Sequence, residues 1–423
     1  MAITPVWCCG AECGVDDDAA VGHLNLFPNA SFDTTTVRNG LRSLKCAATL
    51  ATAYGRSTTF SAANIWVIRF YVRFATLPTL AADICTVGFS GAGGVYFNAT
   101  DSSLYAGSST IALGATGVSV TTGIWYAVDC KVNSSANPWT VDVQVDGTAA
   151  GQHTNAAGAQ TSVLVQFGVQ TVSPTFEIYF DDMMISNTAA DYPLGAGKVL
   201  GHPPNRDGTH VATPAGLFAR GVAGGANIIS TGTPTTDSYL LIDDVPISSG
   251  AASDFITQVT SAAGSYVEHG YASMATGTAG PLALDVLIRH HKVTSAEGGF
   301  RWKLNDNGTT LLLLNYLSSA AGSSGPTYSR NMVTSMVGGG SWTLARFNGL
   351  LTRWGYSTDA NPDVSLDAVI IEAAWDASGG ATTVAVTATG IYGVGTLAGS
   401  FVHHVPVSAL ALSGWHGSRQ WLA

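Results

Sequence analysis

Between Thr175 and Ser186 apolar and polar residues alternate: Phe176, Ile178 and Phe180 fall on one face of an extended chain, and Glu177, Tyr179 and Asp181 on the other. A period of two is the signature of a strand with one buried face. The pattern recurs upstream, where Val141, Val143 and Val145 alternate with Asp142, Gln144 and Asp146 before an Asp-Gly turn. It recurs again from Ile65 to Phe74, with Trp66, Ile68, Phe70, Val72 and Phe74 on one face and Arg69, Tyr71 and Arg73 on the other. Ile124 to Val132 adds a further strand after a Gly turn. Strands of this kind bury their apolar faces by packing sheet on sheet, so the expectation is an all-β sandwich.

Five Lys and five Glu among 423 residues, against 49 Gly, agree with that expectation, because Lys and Glu are the usual residues of exposed helix surfaces. A chain of this length exceeds what one core serves. The predicted organisation is a first sandwich over 1–190, a Pro/Gly-rich linker over 191–208 around Gly201-His-Pro-Pro204, a second sandwich over 209–376 and a C-terminal segment over 377–423. Leu282 to Arg289, Phe300 to Leu304 and Val364 to Glu372 supply strands of the second unit, and Gly340-Ser-Trp342 parallels Gly123-Ile-Trp125 in the first. The Gly/Ala/Thr/Val tract from Ser378 to Gly399 carries too few large side chains for a core of its own. It is read as a β-rich assembly segment, with His403, His404, Trp415 and Trp421 as candidate interface residues.

A formal charge of −10 without any Lys/Arg cluster argues against nucleic acid. No apolar run reaches the roughly 18 residues of a membrane-spanning helix. Residues 1–9 show neither a basic nor an apolar leader, so the expectation is no signal peptide and synthesis in a reducing cytoplasm, with Cys8, Cys9, Cys13, Cys46, Cys85 and Cys130 as free thiols and the sequons at Asn29, Asn98, Asn133 and Asn307 unused.

The runs V-x-V-x-V-D-G at 141–147, F-x-I-Y-F-D-D at 176–182 and R-x-G-x-x-S-L at 38–44 resemble the concanavalin A-like, laminin-G-like jelly rolls that recur in bacteriophage virion proteins. The block Ser341 to Asn348 with Gly355 to Asp359 and Leu366 to Glu372, and the T-x-T-G-x-x-G-x-G pattern near Gly390, are similar to segments of phage tail and head-appendage proteins. The resemblance implies two tandem jelly rolls in a structural virion component of the minor tail or decoration type. Its partners would be other virion proteins and further copies of itself, and its location the virion.

Sites of chemistry are sparse. A glucanase on this fold needs paired carboxylates in an E-x-D-x-E run. The nearest approaches, Asp142 with Asp146 and Glu177 with Asp181 and Asp182, lack it, so no catalytic residue and no enzyme activity is expected. Asp16-Asp17-Asp18 and Asp181-Asp182 are candidate calcium ligands, with a solvated acidic loop as the alternative. Cys8, Cys9 and Cys13 read as packed small residues rather than metal ligands, because no C-x2-C or C/H partner pair follows. His290-His291, like His403-His404, point to opposite faces of a strand and read as surface or interface residues. No G-x-S-x-G elbow occurs, and Gly91–Gly94 and Gly338–Gly340 read as turns. The alternative to a virion scaffold is a lectin-like adhesin binding host-surface glycan through exposed Tyr96, Tyr105 or Trp139.

Overall fold

The computed structural model describes residues 3–14, 23–88, 93–107, 116–135, 138–155, 162–170, 172–208, 218–222, 225–228, 254–258, 266–274, 279–292, 299–306, 311–318, 327–336, 339–355 and 364–376. Two compact units divide the chain, 1–381 and 382–423. The second lies outside the described residues, and with it His403, His404, Trp415, Trp421 and the expected assembly segment.

The described chain is almost entirely antiparallel strand, arranged in four sheets. An eight-stranded sheet runs Thr148–Asn155, Trp139–Val145, Trp125–Asn133, Ile65–Thr76, Phe176–Ser186, Ser43–Ala48 and Ala30–Asp33, with Pro5–Cys9 also on Phe176–Ser186. A seven-stranded sheet packs on it, in the order Val118–Ser119, Ser103–Gly107, Gly94–Asn98, Ala82–Val87, Val165–Val169, Ala53–Ser57 and Leu24–Leu26. The core between them holds the alternating residues that the sequence puts on one face: Trp66, Ile68, Phe70, Val72, Phe74, Val141, Val143, Val145, Phe176, Ile178 and Phe180. Phe70, Phe167 and Phe180 meet there with ring centroids 5.6–6.0 Å apart, within the range of favourable tilted contacts.

The second pair is a seven-stranded sheet centred on Val364–Asp376 and Ala283–Lys292, and a five-stranded sheet centred on Leu350–Trp354. Trp302, Trp354, Trp375, Leu284, Val286 and Ile288 fill its core. Two expectations change here. The segment expected as a linker carries the strands Gly197–His202, paired with Val364–Asp376, and Pro204–Asp207, paired with Val267–Tyr271. The chain passes from one sheet to the other at Pro203, which lies in neither strand, and Pro204 opens the second strand, where a missing N–H is tolerated. The parallel between Trp125 and Trp342 also fails. Trp125 starts a strand, whereas Thr343 caps the short helix Leu344–Asn348 by accepting from the Arg346 N–H at 3.2 Å.

Part of the outer face of the eight-stranded sheet is covered. Cys8, Val67 and Met184 pack against Leu194, Val199 and Ala374. Arg69 and Tyr71, placed by alternation on an open face, are 0% and 6% exposed. Glycines permit the close approach: a Cβ on Gly10 would lie 2.5 Å from the Val199 carbonyl oxygen, and one on Gly197 1.9 Å from Arg69 Nη1. Asp181 and Asp182 are fully buried in this junction, not in an acidic loop. Asp182 sits at a bulge with φ 51° and accepts from Arg38 Nη1, Asn39 Nδ2 at 2.8 Å and the Val199 N–H at 2.5 Å. Asp181 accepts from the N–H groups of Arg38 and Asn39 at 2.8 and 3.3 Å.

Candidate functional site

With one sheet of the first sandwich partly covered, the outward face of its seven-stranded partner is the place where polar and aromatic side chains gather. On Val165–Val169 the core takes Val165, Phe167 and Val169, so Gln166 points outward. Its neighbours across the ladder are Arg56 on one side and Thr86 on the other. Gln166 Oε1 accepts from Arg56 Nε and Nη2 at 3.3 and 3.0 Å, while its Nε2 donates to the Gly88 carbonyl at 2.5 Å and to Thr86 Oγ1 at 3.5 Å. Gln166 and Thr86 are buried, and the amide's bonds are all made within the protein, so the pair serves as a brace that fixes the half-buried Arg56 guanidinium. Arg56 in turn lies 4.3 Å from the Phe27 ring centroid and 5.5 Å from that of Tyr54, and those two rings stack 4.4 Å apart.

A second row crosses the same face. Asp83 pairs with Tyr96 and Tyr96 with Tyr105. Both tyrosines are half-buried. The Tyr105 hydroxyl donates to Asp101 Oδ2 at 2.5 Å, and this bond pushes its pKa up. Burial, followed by the Asp83 carboxylate, raises Tyr96. Both phenols therefore stay neutral donors at physiological pH. The face offers aromatic surface beside a planar, preoriented guanidinium donor, Arg56, which suits a ligand with apolar C–H faces and a rim of hydroxyls.

A second cluster is buried where the two sheet pairs meet. Glu372 lies on the face of Val364–Asp376 that turns away from its own core. Its Oε2 accepts from the Gly10 N–H at 2.8 Å, and its Oε1 from the N–H groups of Glu12 and Cys13 at 2.9 and 3.2 Å. Ala11, with φ 61°, turns the 10–13 backbone so that successive N–H groups converge on one anion. His23 Nε2 stands 3.2 Å from Glu372 Oε2, and Nδ1 stands 3.6 Å from Asp285 Oδ2. Asp285 also accepts from Arg330 Nε at 2.6 Å. The Cys9 sulfur, the His23 ring nitrogen and a Glu372 oxygen lie within 4.8 Å of one another. Burial pushes the Cys9 thiol up to about 12, against the pull of His23. Burial alone would lower His23, but Cys13, Cys9 and Glu372 outweigh it and hold its pKa well above the ordinary value. Glu12 is raised to about 8 by burial and then by Glu372.

Of the residues singled out in the sequence, Tyr96 and Tyr105 share the outward face, whereas Trp139 is 1% exposed and unavailable to a ligand. Trp139 stands two residues before Val141, so the same alternation points it inward; the period itself was the signal. Arg56 and Gln166 were missed, since a lone polar residue between core residues has no marker in sequence. His290 is buried, with Nε2 3.1 Å from Ser329 Oγ, rather than at a surface. Asp142 pairs with Lys131 at 3.0 Å, and Asp146 accepts from the Ala127 N–H in its turn. Glu177 pairs with Lys45 at 2.8 Å. The Asp181 and Asp182 oxygens face N–H donors, the opposite of the oxygen cage calcium takes. Asp16, Asp17 and Asp18 lie outside the described residues. All six cysteines are buried free thiols, Cys46, Cys85 and Cys130 within the first core.

No family model matches the chain, and no curated protein does. Among solved structures it is similar to a sialidase (14% identity over 43% of this chain and 19% of that one, TM-score 0.30). An alginate lyase mutant in complex with alginate tetrasaccharide matches at 16% identity, over 34% of this chain and 81% of that one, with TM-score 0.25. Domain 4 of an extracellular arabinanase from Geobacillus stearothermophilus, in complex with arabinotriose, matches at 16% identity, over 39% and 81%, with TM-score 0.28. The chain spans about a fifth of the sialidase. These likenesses are of fold type alone: a β-sandwich. Against the expectation of a non-enzyme, the structures to which this chain is similar are of a sialidase, an alginate lyase and a domain of an arabinanase. They provide no link to a virion.

Proposed function

We propose that this chain binds carbohydrate through the outward face of the seven-stranded sheet in its first sandwich. The observation that carries the reading is the half-buried Arg56 guanidinium, held in place by the buried Gln166 amide, on the same sheet face as the half-buried Tyr54, Tyr96 and Tyr105. Fixed donors lose little freedom when a ligand arrives, so binding energy is not spent on ordering them. The half-buried aromatic rings supply stacking area at low entropic cost. The virion setting implied by the sequence resemblance would make such a module an adhesin on a particle.

The test is to screen the full chain against immobilised oligosaccharides and measure the best ligand by calorimetry. Tyr96→Ala and Arg56→Ala are each expected to weaken binding by about tenfold, the equivalent of one lost stacking or bidentate contact. Unchanged affinity in both variants would place the ligand elsewhere, and no binding to any glycan would overturn the reading.

A further inference from the structure

The buried junction holds a set of groups for which neither a sandwich core nor a glycan face has a use. We propose that Cys9, His23 and Glu372 form a structural binding site for a zinc-like divalent metal ion that fastens the first pair of sheets to the second. The inference is independent of the carbohydrate reading.

Three donor types that zinc accepts, thiolate, imidazole and carboxylate, converge from three places in the chain, with their ligand atoms within 4.8 Å of one another. Ligands about 2.0–2.3 Å from a tetrahedral ion stand roughly 3–4 Å apart, and His23 Nε2 to Glu372 Oε2 is 3.2 Å. The surroundings match what such ligands require. His23 turns its other nitrogen toward Asp285, itself anchored by Arg330, the arrangement that fixes the tautomer of a metal-bound histidine. The Ala11 N–H donates to Cys9 Sγ at 3.3 Å, a bond that favours a thiolate. The Glu372 carboxylate is oriented by three backbone N–H groups.

Binding would release the Cys9 thiol proton and the proton on His23 Nε2 to solvent, leaving thiolate and neutral imidazole on the ion. The three ligands are fully buried, so the ion would enter as the two sheet pairs close on each other and exchange slowly afterwards. A metal-free alternative is available to the same residues: a protonated His23 bridging Glu372 and Asp285.

The full chain, produced under reducing conditions in zinc-supplemented and in cobalt-supplemented minimal medium, separates the two. Expected are close to one equivalent of metal by elemental analysis, and in the cobalt form a thiolate-to-cobalt charge-transfer band with the intense visible bands of tetrahedral Co2+. Cys9→Ser should abolish the charge-transfer band and lower metal content at least tenfold, while Cys85→Ser, in the first core, leaves both unchanged. Wild-type protein with less than a tenth of an equivalent of either metal and no charge-transfer band would overturn the proposal without recourse to any variant. A Cys9→Ser protein that keeps the band would overturn this ligand set.

Discussion

The Arg38 guanidinium lies 3.3 Å from the centroid of the Tyr71 ring while it also donates to Asp182. Tyr71 is one residue from Phe70, and strand geometry sends the two to opposite faces of the eight-stranded sheet. Both are buried, Phe70 between the sheets and Tyr71 beneath Arg38.

Phe70→Ala should therefore cost about 3–5 kcal/mol, the range for emptying a large aromatic site. Tyr71→Ala should cost a comparable amount, where a half-exposed strand would lose far less. Chemical denaturation of the two variants measures this. A Tyr71→Ala loss under about 1 kcal/mol would mean that the covering layer contributes little.

Asp182 ties three segments together, accepting from Arg38, Asn39 and Val199. Asp182→Ala leaves buried donors without an acceptor, at about 1–3 kcal/mol each, and places alanine at a positive φ. A loss of at least about 3 kcal/mol is expected. Asp182→Asn, which tolerates the left-handed conformation and keeps one acceptor oxygen, should lose distinctly less. Equal losses would show that the network is not what holds this bulge.

Much of the fold was legible in the alternation alone. Trp66 to Phe74, Val141 to Val145 and Phe176 to Phe180 put in the core the residues that the period assigns there. The opposite faces were not legible, because a strand's sequence does not say whether a second sheet will cover its polar side. Arg69 and Asp181 look solvent-exposed until the strands Gly197–His202 and Val364–Asp376 are placed. The candidate sites were hidden for a related reason. Cys9, His23 and Glu372 are brought together across 363 positions of sequence by sheet docking, and Gln166 meets Arg56 and Thr86 only through strand order.

His202 supplies a pH dependence. Burial, and then Lys198, lower its pKa to about 4, and its ring meets Phe347 and Trp375 edge-on. The unfolded chain binds this proton below about 6.5 and the folded chain only below about 4. Stability is thus fully present above about 6.5 and falls as the pH drops toward 4, by on the order of 3 kcal/mol. His202→Leu should flatten that part of the stability profile. A slope between pH 6.5 and 4 identical to that of the unaltered protein would assign the effect to other groups.

The sharpest comparison is between residues 1–190 and residues 1–381 expressed separately. The first fragment keeps the whole Phe70–Phe167–Phe180 core and both of its sheets, so it should fold with a cooperative thermal transition. It loses what covers its eight-stranded sheet, however. Val67 and Met184 would no longer meet Leu194, Val199 and Ala374, Asp182 would lose the Val199 N–H, and the 10–13 backbone would lose Glu372. Uncovering two large apolar side chains alone costs roughly 3–6 kcal/mol. The shorter fragment should therefore melt well below the longer one and bind hydrophobic dyes on the newly opened face. Equal melting temperatures would mean that the two sheet pairs stand independently, and that the buried polar junction contributes nothing to holding the first one folded.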